Sequence, residues 1–333
     1  MSSLDLAVLA EDEYMRASEN LQEVPDAYTV HDFSDWRSWP HQQLLEKMRS
    51  VHVVMTGRKS PKFPSELIEA RGKLQWHCHF HGSVRYLVSR EHIEAGLTVT
   101  NWGCSMRPVA EGAVALLLAT IKQIKQADLY SQTGQDRRFW QGYFPSLPHM
   151  RTGLYGLGPI GRNVAEMLLA LGARLSYYDP YAEDVPETIR RCDSLAELFE
   201  SSDAVVVVCG LNDQTRGTVD KTMLEKLPRA AALINVARGP VVVEQDLADL
   251  VAQGRILAGC DVICDESDWP ASPLAGLDAA CLTHHQVGVG KGYHPDEKPL
   301  NRYPDFVMEN LRSFAAGRPL IYTIAPEEYD LKT

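Results

Sequence analysis

Positive charge is in short supply in this chain. Its 333 residues carry 33 Lys and Arg against 44 Asp and Glu, a net charge of −11, and the basic residues form no block. Nucleic acid and anionic membrane surfaces, which attract proteins through basic patches, are therefore not expected partners. Long apolar runs are also missing, since no stretch approaches the ~20 apolar residues of a membrane span. At the N-terminus the only apolar run is Leu4 to Ala10, too short and wrongly charged for a secretory signal. Seven cysteines, an odd number without C-x-x-C spacing, read as reduced thiols, which points to a cytoplasmic protein. Neither a solenoid-period repeat nor a low-complexity tract is present. What the chain does have is length for two domains and 45% hydrophobic residues to fill two cores.

The most informative segment is Gly156-Leu157-Gly158-Pro159-Ile160-Gly161. A strand-like run, Thr152 to Tyr155, precedes it, and a helical pattern from Asn163 to Leu171 follows, closed by Gly172. A second strand, Ala173 to Tyr178, then delivers Asp179, 18 residues beyond Gly161. Strand, G-x-G-x-x-G, helix, strand and acid together make the context of a dinucleotide site. The first glycine permits a tight turn, the second lets backbone approach a pyrophosphate, and the third lets helix and strand pack closely. The helix N-terminus offers N–H groups to the phosphates. Asp179 is suited to accept from the ribose hydroxyls and to repel a 2′-phosphate, so NAD is the expected cofactor.

Strand-like and helix-like segments alternate along most of the remaining chain, the pattern of a parallel sheet covered by helices. Further strands are expected at Ala204–Val208, Ala231–Asn235, Ala258–Val262 and Cys281–Thr283, with helices near Ser194–Phe199, Lys221–Leu227 and Glu244–Gln253. The first hundred residues repeat the alternation without a glycine fingerprint, with strands at Asp5–Leu9, Tyr28–His31, Val51–Met55, Leu74–Phe80 and Thr98–Asn101. Helices are read there at His41–Met48 and Ser65–Arg71. A single long helix is expected from Val109 to Gln126, an extended aromatic arm from Gly134 to Met150, and a last helix from Asp305 to Ala316.

Three clusters stand just past the C-terminal ends of expected strands, the edge where open α/β sheets bind ligands. Arg238, in Asn235-Val236-Ala237-Arg238-Gly239, can grip a carboxylate with two parallel hydrogen bonds and polarise a neighbouring carbonyl. Acids follow the next strand, in Asp261-Val262-Ile263-Cys264-Asp265-Glu266, and histidines the one after, in Thr283-His284-His285-Gln286-Val287-Gly288. A carboxylate fixes the tautomer of an imidazole beside it, so the two types suit a general acid/base pair.

These pieces resemble the D-isomer-specific 2-hydroxyacid dehydrogenase family along nearly the whole chain. Val109-Ala110-Glu111, Tyr178-Asp179-Pro180, Gln214-Thr215-Arg216, Ser272-Pro273-Leu274 and Gly317-Arg318-Pro319-Leu320 extend the match. The resemblance implies a Rossmann-type doubly wound cofactor domain, residues 104–290, and a discontinuous flavodoxin-like α/β substrate domain, residues 1–103 and 291–333. It also implies a homodimer through the cofactor domain. By the same resemblance Arg238, Glu266 and His285 are the catalytic residues. Cofactor contacts fall to Gly156, Gly158, Pro159, Ile160, Gly161, Asp179, Cys209, Thr215, Val236, Asp261, His285 and Gly288. Substrate contacts fall to Gly82, Ser83 and Val84, to Arg238 and His285, and to Arg58 in the loop facing the substrate's side group. The implied activity is interconversion of a 2-oxo acid and a D-2-hydroxy acid; the alternative is a non-catalytic NAD-sensing scaffold or corepressor of the same fold.

The chain departs from the family pattern at several points. His284 stands where the family has proline, so two adjacent histidines compete for one role, and the offset to Gly288 favours His285. Ser267 replaces the proline after the glutamate, and Cys209-Gly210 replaces a residue-proline pair. The segment from Gly290 to Pro304 is unusually polar. His77, His79 and His81 alternate, but one strand spreads them too far apart, at ~3.3 Å per residue, to close a metal tetrahedron, and no metal is expected.

Overall fold

A computed structural model describes residues 3–9, 24–57, 59–103, 107–135, 146–288 and 305–332. Arg58, most of the aromatic arm and the whole polar segment from Gly290 to Pro304 lie outside the described residues. The chain divides into two units, Met1–Ser105 with Lys291–Thr333, and Met106–Gly290.

The first unit is built on five parallel strands: β1 (Leu4–Leu9), β2 (Tyr28–Asp32), β3 (Val53–Thr56), β4 (Trp76–His79) and β5 (Thr98–Thr100). Their order, β2-β1-β3-β4-β5, is that of flavodoxin-like sheets. Every residue of β3 and β4 is buried, as strands covered on both faces must be. One face packs Val54 and Leu74 against Leu45 and Met48 of the helix His41–Arg49. The other packs Leu6, Val53 and Trp76 against Val307 and Leu311 of the helix Asp305–Ala315.

In the second unit seven strands follow: β6 (Arg151–Tyr155), β7 (Arg174–Tyr178), β8 (Arg190–Arg191), β9 (Ala204–Val207), β10 (Ala232–Asn235), β11 (Leu257–Cys260) and β12 (Ala280–Leu282). Their order is β12-β11-β10-β9-β6-β7-β8, with every pairing parallel. Both sheets are therefore α/β and doubly wound. The order reverses between β6 and β9, so the crevice at the carboxyl ends of these two strands is the topological switch point where such sheets bind ligands.

The single long helix expected from Val109 to Gln126 is instead two, Arg107–Ile121 and Ile124–Thr133. Gln123 breaks the run with a left-handed backbone, φ +50°. The turn re-aims the second helix so that Lys125 donates to the carbonyls of Leu277 and Ala280, and Gln126 to that of Asp278. The helix expected from Lys221 to Leu227 stops at Leu224. The strand expected from Leu74 to Phe80 shrinks to Trp76–His79, which leaves His81 beyond the sheet rather than on a face shared with His77 and His79.

Candidate active site

The fingerprint turn leaves β6 and enters the helix Pro159–Ala170, and each of its glycines answers to a distinct constraint. Gly156 has φ +100°, and a Cβ there would stand 2.7 Å from both N and Cα of Cys209, at the end of β9. A Cβ on Gly161 would stand 2.5 Å from the Gly156 carbonyl oxygen. Gly158 is different: no described atom lies within 4 Å of where its Cβ would be. It caps the helix without a side-chain hydrogen bond and leads into Pro159 at the first turn. Open space, absent side chain and first-turn N–H groups form a cradle that fits a pyrophosphate.

Asp179, at the end of β7, accepts from the Leu157 N–H at 2.7 Å and from the Tyr181 N–H at 2.9 Å. Its carboxylate thus braces the fingerprint turn, and each oxygen keeps a lone pair for a ribose hydroxyl. Thr215 closes its own loop, accepting from Asn212 N–H and donating to the Gly210 carbonyl. Val236 is buried and donates its N–H to Val207. Burial pushes the Cys209 thiol up to about 12 and the Cys264 thiol, also beside Glu244, up to about 11. Neither is a thiolate nucleophile near neutral pH.

Arg238 follows β10 by three residues and is exposed, with Nη1 donating to the Ala237 carbonyl at 2.7 Å. The Asn235 side chain folds this turn, accepting from Ala237 N–H and donating to the Arg238 carbonyl. The next residue must be glycine, since a Cβ on Gly239 would fall 2.0 Å from the Ile263 carbonyl oxygen. The Arg238 turn is thereby pressed against the peptide that leads to Glu266.

Glu266 and His285 meet. Nδ1 of His285 lies 2.8 Å from Oε2 of Glu266, with the side chains 31% and 38% exposed. The neighbouring acid, Asp265, is occupied by Ser267, whose hydroxyl and N–H hold it below the usual carboxylate range. His284 takes another course and stacks on Trp269, ring centroids 4.7 Å apart. The two histidines diverge because both have left-handed backbones, φ +55° and +54°. Such conformations cost roughly 1–3 kcal/mol each in a non-glycine residue.

The buried Asp261 holds that strained turn. Its Oδ1 accepts from Thr283 Oγ1 at 2.7 Å, Gln286 N at 2.9 Å and Val287 N at 3.2 Å, while its carbonyl accepts from His285 N at 2.6 Å. Gly288 ends the turn against Val109, where a Cβ would fall 2.6 Å from Cγ2, and Gly112 admits the Val287 carbonyl on the same helix. Glu244 was invisible as a site residue in the sequence. It accepts from Cys264 N–H at 2.6 Å and from Ser272 Oγ at 2.5 Å, anchoring both ends of the Glu266 loop. Only a Glu at the start of the helix Glu244–Ala252 hinted at it.

The sequence profile of the D-isomer specific 2-hydroxyacid dehydrogenase NAD-binding domain matches residues 114–287. Glyoxylate/hydroxypyruvate reductase A of Arabidopsis thaliana is 30% identical over 292 residues, covering 86% of this chain and 90% of its own length. The chain belongs to the D-isomer-specific 2-hydroxyacid dehydrogenase family. Hydroxyphenylpyruvate reductase of Plectranthus scutellarioides is 31% identical over 300 residues, covering 87% and 91%. Among solved dehydrogenases of this fold, Rhodotorula graminis D-mandelate dehydrogenase superposes with a TM-score of 0.78 at 22% identity, covering 96% and 97% of the two chains. A 2-hydroxyacid dehydrogenase of Xanthobacter autotrophicus, solved with NADPH, gives 0.77 at 23% identity, covering 98% and 99%.

In the first unit, the expected dehydrogenase carboxylate loop follows β4. A Cβ on Gly82 would lie 2.7 Å from Trp102 Nε1, and Asn101 donates to the Gly82 carbonyl. Ser83 is half-buried, whereas the Val84 side chain belongs to the core, which leaves only its backbone for the expected contact. His77 and His79 are buried and share the Thr56 hydroxyl as a hydrogen-bond partner.

Proposed function

We propose that this protein is an NAD(H)-dependent oxidoreductase that interconverts a 2-oxo acid and the corresponding D-2-hydroxy acid. The observation that carries the reading is the 2.8 Å pairing of His285 Nδ1 with Glu266, held at the carboxyl edge of the sheet by two strained residues. Bound nicotinamide supplies hydride to C2 of the 2-oxo acid; all else falls to the protein.

Glu266 accepts a hydrogen bond from Nδ1–H of His285 and fixes the ring orientation, so that Nε2 is the atom that exchanges a proton with the substrate. During reduction the imidazolium gives its Nε2 proton to the C2 oxygen, and in the reverse direction the neutral ring takes it back. Arg238 supplies two parallel donors to the substrate carboxylate and counters the charge that develops on the C2 oxygen. In the first unit, the backbone N–H groups of Gly82, Ser83 and Val84 are the donors this reading assigns to a substrate carboxylate. The Gly158 cradle and the Asp179 carboxylate bind pyrophosphate and ribose, and the Asp179 charge opposes a 2′-phosphate, so NADH is preferred over NADPH. The relatives named as glyoxylate, hydroxypyruvate and hydroxyphenylpyruvate reductases support the substrate class. Exposed Ile124 and Tyr130, on the helix Ile124–Thr133, fit a homodimer through the cofactor domain.

The test is a pair of alanine variants. His285→Ala is expected to abolish NADH oxidation by 2-oxo acids, and His284→Ala to leave it measurable. The reverse pattern would transfer the acid/base role to His284 and overturn the assignment.

A further inference from the structure

The two loops that carry the acid/base pair are joined at a second point, which takes no part in the reaction as described. The Glu266 loop follows β11 and the His285 turn follows β12. Glu244 ties the loop at its two ends, Cys264 and Ser272, and between those ends its hydrogen bonds stay within it. The His285 turn is tied separately, to Asp261. Among the described residues, two hydrogen-bond or ring contacts cross from loop to turn. One is Glu266 Oε2 with His285 Nδ1, and the other is the indole of Trp269 with the imidazole of His284.

The second contact stands on a rigid base. Trp269 opens the short turn Trp269–Ala271, where Pro270 fixes the backbone and the Asp268 carboxylate accepts from Ala271 N–H at 3.3 Å. Its half-buried indole lies 25° from the plane of the His284 ring, with centroids 4.7 Å apart, a stacked arrangement. On the facing side His284 has φ +55°, a backbone that proline, locked near about −65°, cannot adopt. A side chain able to reach the other loop thus stands where a proline would force a different turn. The catalytic contact, by comparison, is vulnerable. Its partners are 31% and 38% exposed, so water competes for both. When the imidazolium gives up its Nε2 proton, the pair loses its charge–charge attraction and a neutral donor is left on the carboxylate. The Trp269–His284 stack is untouched by that step.

We propose that Trp269 is a positioning residue that acts through His284: the stack keeps the Glu266 loop in register with the His285 turn, so that the catalytic pair re-forms in every cycle. The inference rests on the proposed 2-oxo acid reduction, and two measurements separate them. The first is steady-state kinetics. Trp269→Ala should lower kcat about 3-fold to 10-fold, the range one aromatic pair is worth, and leave NADH affinity within about 2-fold by fluorescence titration. Trp269→Phe, which keeps a ring, should return kcat to within about 2-fold of wild type. His284→Ala should cost the same as Trp269→Ala, and the double variant no more than either alone. A Trp269→Ala variant within about 2-fold of wild type, no recovery with Trp269→Phe, additive losses, or a parallel loss of NADH binding would overturn the role of Trp269. The second measurement needs no turnover. Long-range 1H–15N correlation on ¹⁵N-histidine-labelled protein reads which nitrogen of the neutral His285 ring carries the proton. Wild type should hold it on Nδ1, facing Glu266, Trp269→Ala should move part of it to Nε2, and Trp269→Phe should restore it. An unchanged tautomer in Trp269→Ala would overturn the positioning. Wild-type protein that reduces no 2-oxo acid would refute the proposed reaction, while the tautomers would still decide whether Trp269 holds the pair.

Discussion

Asp261→Asn isolates the charge that holds His285 in place. In the wild type one carboxylate oxygen gathers three donors from Thr283, Gln286 and Val287, and the turn they fix contains two left-handed histidines. Holding those two residues costs roughly 2–6 kcal/mol in backbone strain. Three charge-assisted hydrogen bonds, at roughly 1.5–3 kcal/mol each, offset it with a modest surplus. An amide oxygen keeps the geometry but returns each bond to the neutral class, roughly 0.5–1.5 kcal/mol, so the set loses about 3–4.5 kcal/mol. That loss exceeds the surplus of about 2.5–3 kcal/mol by about 0.5–1.5 kcal/mol, and the turn is expected to relax away from Glu266 for most of the time. The competent fraction then drops to between about a third and a fourteenth, so kcat/KM for 2-oxo acid reduction should fall about 3-fold to about 14-fold. Steady-state kinetics on Asp261→Asn beside wild type make the assay, and a variant within about 2-fold of wild type would refute the reasoning.

Three other outcomes follow from the same geometry. Arg238→Gln should bind NADH nearly as wild type, by fluorescence titration, while losing about 10²–10³ in kcat/KM, because the guanidinium acts on substrate and transition state. Asp179→Ala should narrow the preference for NADH over NADPH, measured as the ratio of kcat/KM values at subsaturating cofactor. His77 stays neutral in the folded state down to about pH 3, whereas the unfolded chain protonates it below about 6.5. Its contribution to stability is therefore complete above pH 6.5 and declines as pH falls from there toward 3, at up to ~1.4 kcal/mol per pH unit. Urea titrations of wild type and His77→Gln between these limits should show the shallower pH dependence in the variant.

The parts of this protein legible in its sequence are those set by neighbours along the chain. The turn from Gly156 to Gly161 depends on local backbone freedom, and buried strands such as Ala204–Val207 announce themselves as unbroken apolar runs. Asp179 could be read because it follows its strand at a fixed interval. Gln123 could not: the apolar pattern runs through it, and no glycine or proline marks the left-handed residue that ends the helix. The two-residue strand Arg190–Arg191 is charged and exposed, so hydrophobic periodicity passes over it. In the site, Arg238, Glu266 and His285 were readable as side-chain types at strand ends. The groups that position them were not. Glu244 reaches Cys264 across 20 residues, Asp261 reaches Val287 across 26, and Trp269 receives the ring of His284, contacts that only the folded chain creates.

The central claim is that the Glu266–His285 pair, with Arg238, reduces a 2-oxo acid using NADH. Its most direct test is a panel of 2-oxo acids, including glyoxylate, pyruvate, hydroxypyruvate and oxaloacetate, incubated with wild-type protein and NADH. Cofactor oxidation is followed optically and the product resolved by chiral chromatography. The account predicts NADH oxidation matched by a D-2-hydroxy acid from at least one chiral-product substrate, and none with His285→Ala. An L product, or no NADH consumption with any acid, would contradict it.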